Sequence, residues 1–318
     1  MAELKPFHDA DKYVFKEKFI DRYSKLTDWN VFKKYTLSFL RKSIRVNTLK
    51  ISVEECAKRL DKDWKLEPVL WCKEGLFIEH KGGRLDVGNT IEHALGYYYV
   101  QEAASMIPPV VLDPQPGDVV LDMAAAPGSK ASQIAQCMKN EGVVVANDVK
   151  GDRLAALGLN MQRLGSYNNV ITLMQGERFA DSGILFDKIL LDAPCSGTGT
   201  IRKSPKTILM WNPDMVKRLS RVQKKLIMVA WKCLRPGGTL VYSTCSSEPE
   251  ENEGIVSYLL SNVKDAKMLE IDLPIKRGEP VLEFDGEKYH AEVHNCLRLW
   301  PQDNDTEGFF VAGIRKEE

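Results

Sequence analysis

The chain has 318 residues, 44% of them apolar and 28% charged, a composition that supplies a sizeable core and excludes wholesale disorder. At about 100–200 residues per domain this is two domains' worth. No run nears the ~18 apolar residues of a membrane span, and the opening stretch MAELKPFHDADKYVFKEKF is charged throughout, so a cytoplasmic, non-exported protein with no membrane association is expected.

Seven cysteines stand at 56, 72, 137, 195, 233, 245 and 296, no two of them spaced as CxxC. Neither a zinc site nor a disulfide framework is indicated, and no metal is expected. Free thiols in a reducing compartment are the better reading. The net charge is zero, but residues 1–247 carry 36 Lys and Arg against 27 Asp and Glu, while residues 248–318 carry 8 against 17. The densest basic stretch, 202–225, holds Arg202, Lys203, Lys206, Lys217, Arg218, Arg221, Lys224 and Lys225 against Asp214 alone. Such a stretch suits a polyanion, although charge runs are more often solvated helix faces.

Two styles of sequence meet near residue 113. Before it, SIRVNTLK (43–50) predicts a strand, SVEECAKRL (52–60) a helix and LFIEH (76–80) a strand. With N-terminal helices these make a small α+β module over 1–112. After the turn-rich Asp113-Pro114-Gln115-Pro116-Gly117, strands are predicted at 118–123, 143–149, 170–175, 188–193, 239–244 and 308–314, with helices at 128–139, 152–164 and 213–234. Asn212 and Pro213 mark the start of the last helix and Gly237-Gly238 lie beyond its end. Leu219, Val222, Leu226, Val229 and Cys233 predict its core face, and Lys217, Arg221 and Lys224 a basic stripe on another. Alternating βαβ units predict an α/β catalytic domain over 113–318 with a doubly wound, mostly parallel sheet, which binds ligands beyond the carboxyl ends of its strands.

The first of these strands runs into Asp122-Met123-Ala124-Ala125-Ala126-Pro127-Gly128-Ser129-Lys130. Small residues let the turn approach a ligand, and the helix start offers free amides and a positive dipole. The turn lacks the three glycines of a pyrophosphate-binding loop. The next strand ends in Asp148, where an acid typically holds the ribose hydroxyls of an adenosine. This combination fits a nucleoside cofactor without phosphates, S-adenosylmethionine. At the other end of the site, the fourth strand ends Asp192-Ala193-Pro194-Cys195-Ser196 and the fifth Tyr242-Ser243-Thr244-Cys245-Ser246. A lone cysteine is usually a small buried hydrophobe, the reading kept for Cys56, Cys72, Cys137, Cys233 and Cys296. Two at adjacent strand ends, flanked by Ser, Thr or Pro, are a pair to be explained.

DMAAAPGSK, DAPCSGTGTIRKSP and LRPGGTLVYSTCSSEPEENE, together with RVNTLK, YYVQEAASMIP and LWPQDNDTEGFFVAGIRK, resemble the Nop/Sun family of RNA cytosine-5 methyltransferases. The resemblance implies a class I, Rossmann-like S-adenosylmethionine-dependent methyltransferase fold preceded by an RNA-recognition-like module. It places the cofactor contacts at Ala124, Ala125, Ala126, Pro127, Gly128, Ser129, Lys130, Asp148, Arg153, Gln175 and Asp192. The chain departs from the family's usual pattern at three places. It reads APGSKA for APGGKT, Gln175 where an Asp usually stands near the adenine, and Gln302 in WPQ for WPH.

Carbon 5 of cytosine is a poor nucleophile towards a methyl sulfonium, and a thiolate added at carbon 6 makes the ring enamine-like. By resemblance Cys245 is that nucleophile and Cys195 assists elimination and product release. A free thiol near pKa ~8.5 is only a few per cent ionised at neutral pH, and Lys130 with nearby dipoles would lower that value. Asp192 would hydrogen-bond the exocyclic amine and ring nitrogen 3, and to hand over a proton it would need a pKa raised by burial. The base must be single-stranded or flipped out. Arg202, Lys203, Lys217, Arg221 and Lys224 then read as phosphate contacts. The expected partner of a monomeric enzyme is RNA, with tRNA ahead of ribosomal RNA. Whether a helper protein sharpens specificity stays open. An amino-group methyltransferase would want an aromatic residue at position 195, and a catalytically silent RNA-binding assembly protein would have no use for both thiols.

Overall fold

The computed structural model describes residues 4–318. Two short helices come first, α1 (Glu17–Ser24) and α2 (Trp29–Thr36). The Asp28 carboxylate caps α2 by accepting from the amides of Asn30 and Val31. Phe19, Tyr23 and Phe32 are buried with Trp211 and Trp300, so this pair packs on the second half of the chain. There follow β1 (Ser43–Val46), α3 (Val53–Leu60), β2 (Trp64–Pro68), β3 (Gly75–His80), α4 (Ile91–Ala94) and β4 (Tyr98–Val100). The four strands form an antiparallel sheet in the order β2-β3-β1-β4. Strands β2 and β4 escape a reading by periodicity because both are edges: Lys65, Glu67 and Pro68 leave β2 few apolar residues, and β4 has three residues.

The helix α5 (Ile107–Leu112) leads into the second sheet. Its elements are β5 (Val119–Asp122), α6 (Ser129–Cys137), β6 (Val143–Asp148), α7 (Gly151–Leu164), β7 (Asn169–Leu173), β8 (Phe186–Asp192), α8 (Lys206–Met210), α9 (Pro213–Cys233), β9 (Leu234–Thr244), α10 (Glu253–Asn262) and β10 (Ala266–Met268). A small hairpin, β11 (Glu283–Phe284) and β12 (Glu287–Lys288), precedes β13 (Leu297–Leu299), α11 (Pro301–Asn304) and β14 (Phe309–Lys316). The order is β10-β14-β9-β8-β5-β6-β7, with β13 beside β14. Strands β5 to β9 run parallel, and β14 enters antiparallel against β9. Chain order reverses at β5, between β6 and β8, which makes this the switch point where a ligand binds.

Helix α9 begins as its sequence predicts, the Asn212 side chain accepting from Met215 N at 2.8 Å. Its buried face is rotated from the predicted one. Val216, Ser220, Gln223, Leu226, Ile227, Ala230, Trp231 and Cys233 are buried, while Val222 is 37% exposed. The polar Ser220 and Gln223 share the inner face, and Gln223 reaches a buried carboxylate, a demand that apolar periodicity does not register.

Candidate active site

The turn after β5 is built for close approach. Gly128 has φ 103° as it starts α6, and a Cβ there would lie 3.0 Å from Leu157 Cδ1, so a side chain would meet both strain and a neighbour. Ala125 and Ala126 are buried, and the Ala126–Pro127 bond is cis. Asp148, at the end of β6, is buried, accepts from Lys150 N at 3.0 Å, and has Oδ2 3.1 Å from Arg153 Nη1. Arg153 also donates to the Ala126 carbonyl, which ties the acid to the turn. Gln175 stands exposed just after β7, before the turn Gly176–Asp181. Gln302 donates to the Thr27 hydroxyl at 2.9 Å and so joins α11 to the α1–α2 turn.

The sequence reading did not single out Asp122 as a site residue. This acid ends β5 fully buried, and neither carboxylate oxygen has a hydrogen-bond partner among the described residues. Burial, then the charge of Asp192, lifts its pKa to about 7. A ligand bearing an ammonium and a sulfonium would satisfy this carboxyl, and ribose hydroxyls would satisfy Asp148, so the residues present fit S-adenosylmethionine.

At the reacting end Cys195 Sγ and Cys245 Sγ lie 3.3 Å apart, each thiol only partly buried. Asp192 accepts from Lys130 Nζ at 2.7 Å on one oxygen and from Ser243 Oγ at 2.8 Å on the other. Burial works against the Lys130 ammonium, but Asp192, Asp122 and Cys245 outweigh it and its pKa rises, so it stays charged. Its Nζ also lies 5.5 Å from the Phe309 ring centroid. The hydrogen bond with Cys245, followed by burial, pushes the Cys195 thiol well above its ordinary range. Backbone holds the thiols from below: Gly199 N donates to Cys245 O at 2.9 Å, and Gly308 N to Gly199 O at 2.9 Å. A Cβ on Gly199 would fall 2.0 Å from Gly308 O, so only glycine allows this crossing.

Three buried acids that motif reading passed over support these turns, and a fourth, Glu307, is buried next to Gly308. Glu251 contacts both cysteine turns. Glu248 accepts from Trp211 Nε1 at 2.7 Å, Tyr23 OH at 3.0 Å and Arg22 Nε at 2.6 Å, which fastens α1 to the segment after Cys245. Glu253 makes a buried bidentate pair with Arg298, at 2.8 and 2.5 Å. Glu307, whose Oε1 has no partner among the described residues, is lifted to about 8 by burial and by Glu102. For Glu248, Glu251 and Glu253 the available signal is the acid-rich run SEPEENE, which reads as solvent-facing from composition.

The structure corrects the basic residues in part. Arg202 is 4% exposed and donates to the carbonyls of Ser38, Phe39 and Thr306 and to Asp305 Oδ1, at 2.7–3.2 Å. It is an internal staple, buried and committed to four acceptors within the protein, and does not face a phosphate. Lys203, Lys217 and Arg221 are exposed, and Lys224 is half-buried with Nζ 5.2 Å from the Tyr258 ring centroid. Lys217 and Lys224 edge a depression shared with Glu250, Asp285 and Glu287, so carboxylates of the acidic tail already face that part of the stripe. Among the described residues no cluster of His, Cys, Asp and Glu could hold a metal, and no helix is long and apolar enough to cross a membrane.

Residues 109–315 match the family model described as 16S rRNA methyltransferase RsmB/F, and residues 15–103 match the N-terminal domain of 16S rRNA methyltransferase RsmF. The chain is 50% identical to the tRNA (cytosine(49)-C(5))-methyltransferase of Pyrococcus abyssi, over 94% of its own length and 96% of that protein. It is 45% identical to the ribosomal RNA small subunit methyltransferase F of Vibrio parahaemolyticus, over 87% of its own length and 57% of that longer protein. The crystal structure of NSun6 from Pyrococcus horikoshii with SFG, an analogue of S-adenosylmethionine, superposes with a TM-score of 0.84 at 27% identity, covering 96% of this chain and 99% of that one.

Proposed function

The chain belongs to the RsmB/F (Nop/Sun) family of S-adenosylmethionine-dependent RNA (cytosine-5)-methyltransferases, and from that premise we propose that it methylates a cytosine of tRNA through a covalent adduct between Cys245 and carbon 6 of the base. The observation that carries the mechanism is the 3.3 Å approach of the two thiols beside the Lys130–Asp192 pair. A silent scaffold has no use for that arrangement, and an amino-group methyltransferase would leave Cys245 idle.

The 124–130 turn, Asp148 and Asp122 would hold S-adenosylmethionine, which would supply the methyl group. The rest falls to the chain and, for one proton, to solvent. The Cys245 thiolate adds to carbon 6 while the Lys130 ammonium, paired with Asp192, offsets the negative charge. Asp192, held on both oxygens, orients the cytosine by accepting from its exocyclic amine, and in its protonated form it would also donate to nitrogen 3. Once carbon 5 carries the methyl group its proton passes to a base from solvent, the electron pair of that bond re-forms the 5,6 double bond, and Cys245 leaves carbon 6 as a thiolate. Cys195, in contact with Cys245, assists that release. The flipped base reaches this pocket only from single-stranded or opened RNA.

The tRNA substrate is supported by the 50% identity to the archaeal tRNA enzyme over 94% of this chain. Ribosomal RNA is the second reading, favoured by the 16S rRNA descriptions of both matching models. The enzyme would act as a cytoplasmic monomer with its thiols reduced, with room for a helper protein in choosing the nucleotide. Bisulfite mapping of RNA with and without the enzyme identifies the modified base. Cys245→Ser should abolish methyl transfer and any adduct; Cys195→Ala should slow turnover and accumulate a covalent RNA adduct, seen as a shifted band on a denaturing gel. A band that needs Cys195 and survives Cys245→Ala reverses the roles, and no band in either variant refutes covalent catalysis.

A further inference from the structure

Cys195 and Cys245 lie 50 residues apart in sequence, and one buried carboxylate spans the turns that carry them. Glu251 Oε1 accepts from Ser196 N at 3.0 Å and from Gln223 Nε2 at 3.0 Å. Its Oε2 accepts from Ser246 Oγ at 2.7 Å and from the Ser196 hydroxyl. Ser196 and Ser246 directly follow the two cysteines. Gln223 also donates to Pro194 O at 2.8 Å, and the Tyr242 hydroxyl donates to the Glu251 carbonyl at 2.5 Å. All four donors to the carboxylate are neutral, so its charge is hydrogen-bonded but, among the described residues, has no cation paired with it.

We propose that Glu251 is a positioning residue that clamps the two cysteine turns at thiol–thiol contact and keeps the proton of the pair on Cys195, leaving Cys245 as the thiol that ionises. Around the pair, β8 and α6 present Asp192 and Lys130, β9 presents Tyr242, α9 presents the neutral Gln223, and the turn after β9 presents Glu251. The Lys130 ammonium interacts with Cys245, whereas on Cys195 the hydrogen bond with Cys245 and burial act first and the Glu251 carboxylate adds to them. The field across the 3.3 Å gap therefore has a direction. Burial lifts Glu251 itself to about 7 against the hydrogen bonds of Ser196 and Ser246, so its charge, and with it the bias on Cys195, strengthens as pH rises through neutrality. The use of this bias in turnover rests on the covalent mechanism proposed above; the bias itself is a property of the RNA-free protein.

The test is limiting iodoacetamide on the full chain without RNA, across pH 6–10, with each cysteine followed by peptide mass spectrometry. In wild type Cys245 should alkylate at lower pH than Cys195. Glu251→Gln keeps the shape and removes the charge, so the Cys195 midpoint should fall by about one pH unit, a tenfold change in ionisation. Binding of S-adenosylmethionine should be retained, and kcat should fall about tenfold with the KM for the cofactor unchanged. Ser196→Ala removes one donor and keeps the charge, so its Cys195 midpoint should not fall. Cys195 alkylating first in wild type, an unmoved midpoint in a cofactor-binding Glu251→Gln protein, or a lowered midpoint in Ser196→Ala each overturns the proposal. Should Glu251→Gln fail to bind cofactor, the wild-type order and Ser196→Ala decide. A wild-type protein with the expected order but no methyl transfer would instead refute the functional reading.

Discussion

The cofactor end and the reacting end occupy the same carboxyl edge of one sheet, yet they are assembled in opposite ways. At the cofactor end the main contacts of Asp148 come from Lys150 and Arg153, two and five positions along the chain, and the 124–130 turn depends on small residues and one positive φ. At the reacting end the SEPEENE segment is held mainly from other parts of the chain, with partners as far as 226 residues away: Arg298 for Glu253, Ser196 for Glu251, Arg22 for Glu248. A site assembled locally should lose only its own function when damaged. One assembled from distant segments should lose stability as well.

The sharpest way to break that contrast is Arg298→Met. It strands Glu253 as an unpaired charge in the core and frees the Ser247 carbonyl, which Arg298 holds at 2.9 Å two residues beyond Cys245. Removing one member of a buried pair costs about 3–5 kcal/mol. Chemical denaturation should show a loss of that size, and adding Glu253→Gln should restore part of it, because the orphaned charge is most of the cost. A change below about 1 kcal/mol, the scale of an exposed pair, would mean that this network does not support the turn.

Asp148→Ala should behave differently. Losing hydrogen bonds to a charged group weakens binding by about 1.5–3 kcal/mol, to be read by calorimetry as a raised dissociation constant for S-adenosylmethionine with the denaturation midpoint nearly kept. An unchanged constant removes Asp148 from the site.

The same contrast explains what could be read in advance. The six main strands and three helices of the catalytic half follow from apolar runs, turn residues and the Asn212 cap, all visible within a few residues. So do the two thiols and Asp192, because strand ends are where such a sheet places its chemistry. Glu248, Glu251 and Glu253 could not be read that way. Their burial is set by Arg22, Trp211, Gln223 and Arg298, which only tertiary structure brings to them, and in isolation SEPEENE reads as a solvated acidic run. Arg202 fails for the same reason in reverse: within a basic stretch it looks like a phosphate ligand, and its partners at 38–39 and 305–306 lie more than 100 residues away. The rotated face of α9 is a third instance, since Gln223 is turned inward by a carboxylate that periodicity does not include.

The smallest expected effect separates the surface that is left for RNA. Each single-stranded phosphate contact contributes about −0.7 to the slope of log affinity against log salt. Lys203 and Arg221 are exposed, whereas Lys217 and Lys224 share their depression with Glu250, Asp285 and Glu287. Neutralising Lys203 and Arg221 together, as Lys203→Gln with Arg221→Gln, should therefore flatten the slope by about 1.4. Neutralising Lys217 and Lys224 should change it less, because part of their charge is already offset within the protein. Cofactor affinity should stay the same in both double variants, since neither pair touches the 124–130 turn. Equal flattening by the two pairs would mean that RNA displaces the acidic tail from α9 and that the whole stripe serves the substrate. No flattening by Lys203→Gln with Arg221→Gln would leave this face of α9 a solvated surface and move the phosphate contacts to the N-terminal module.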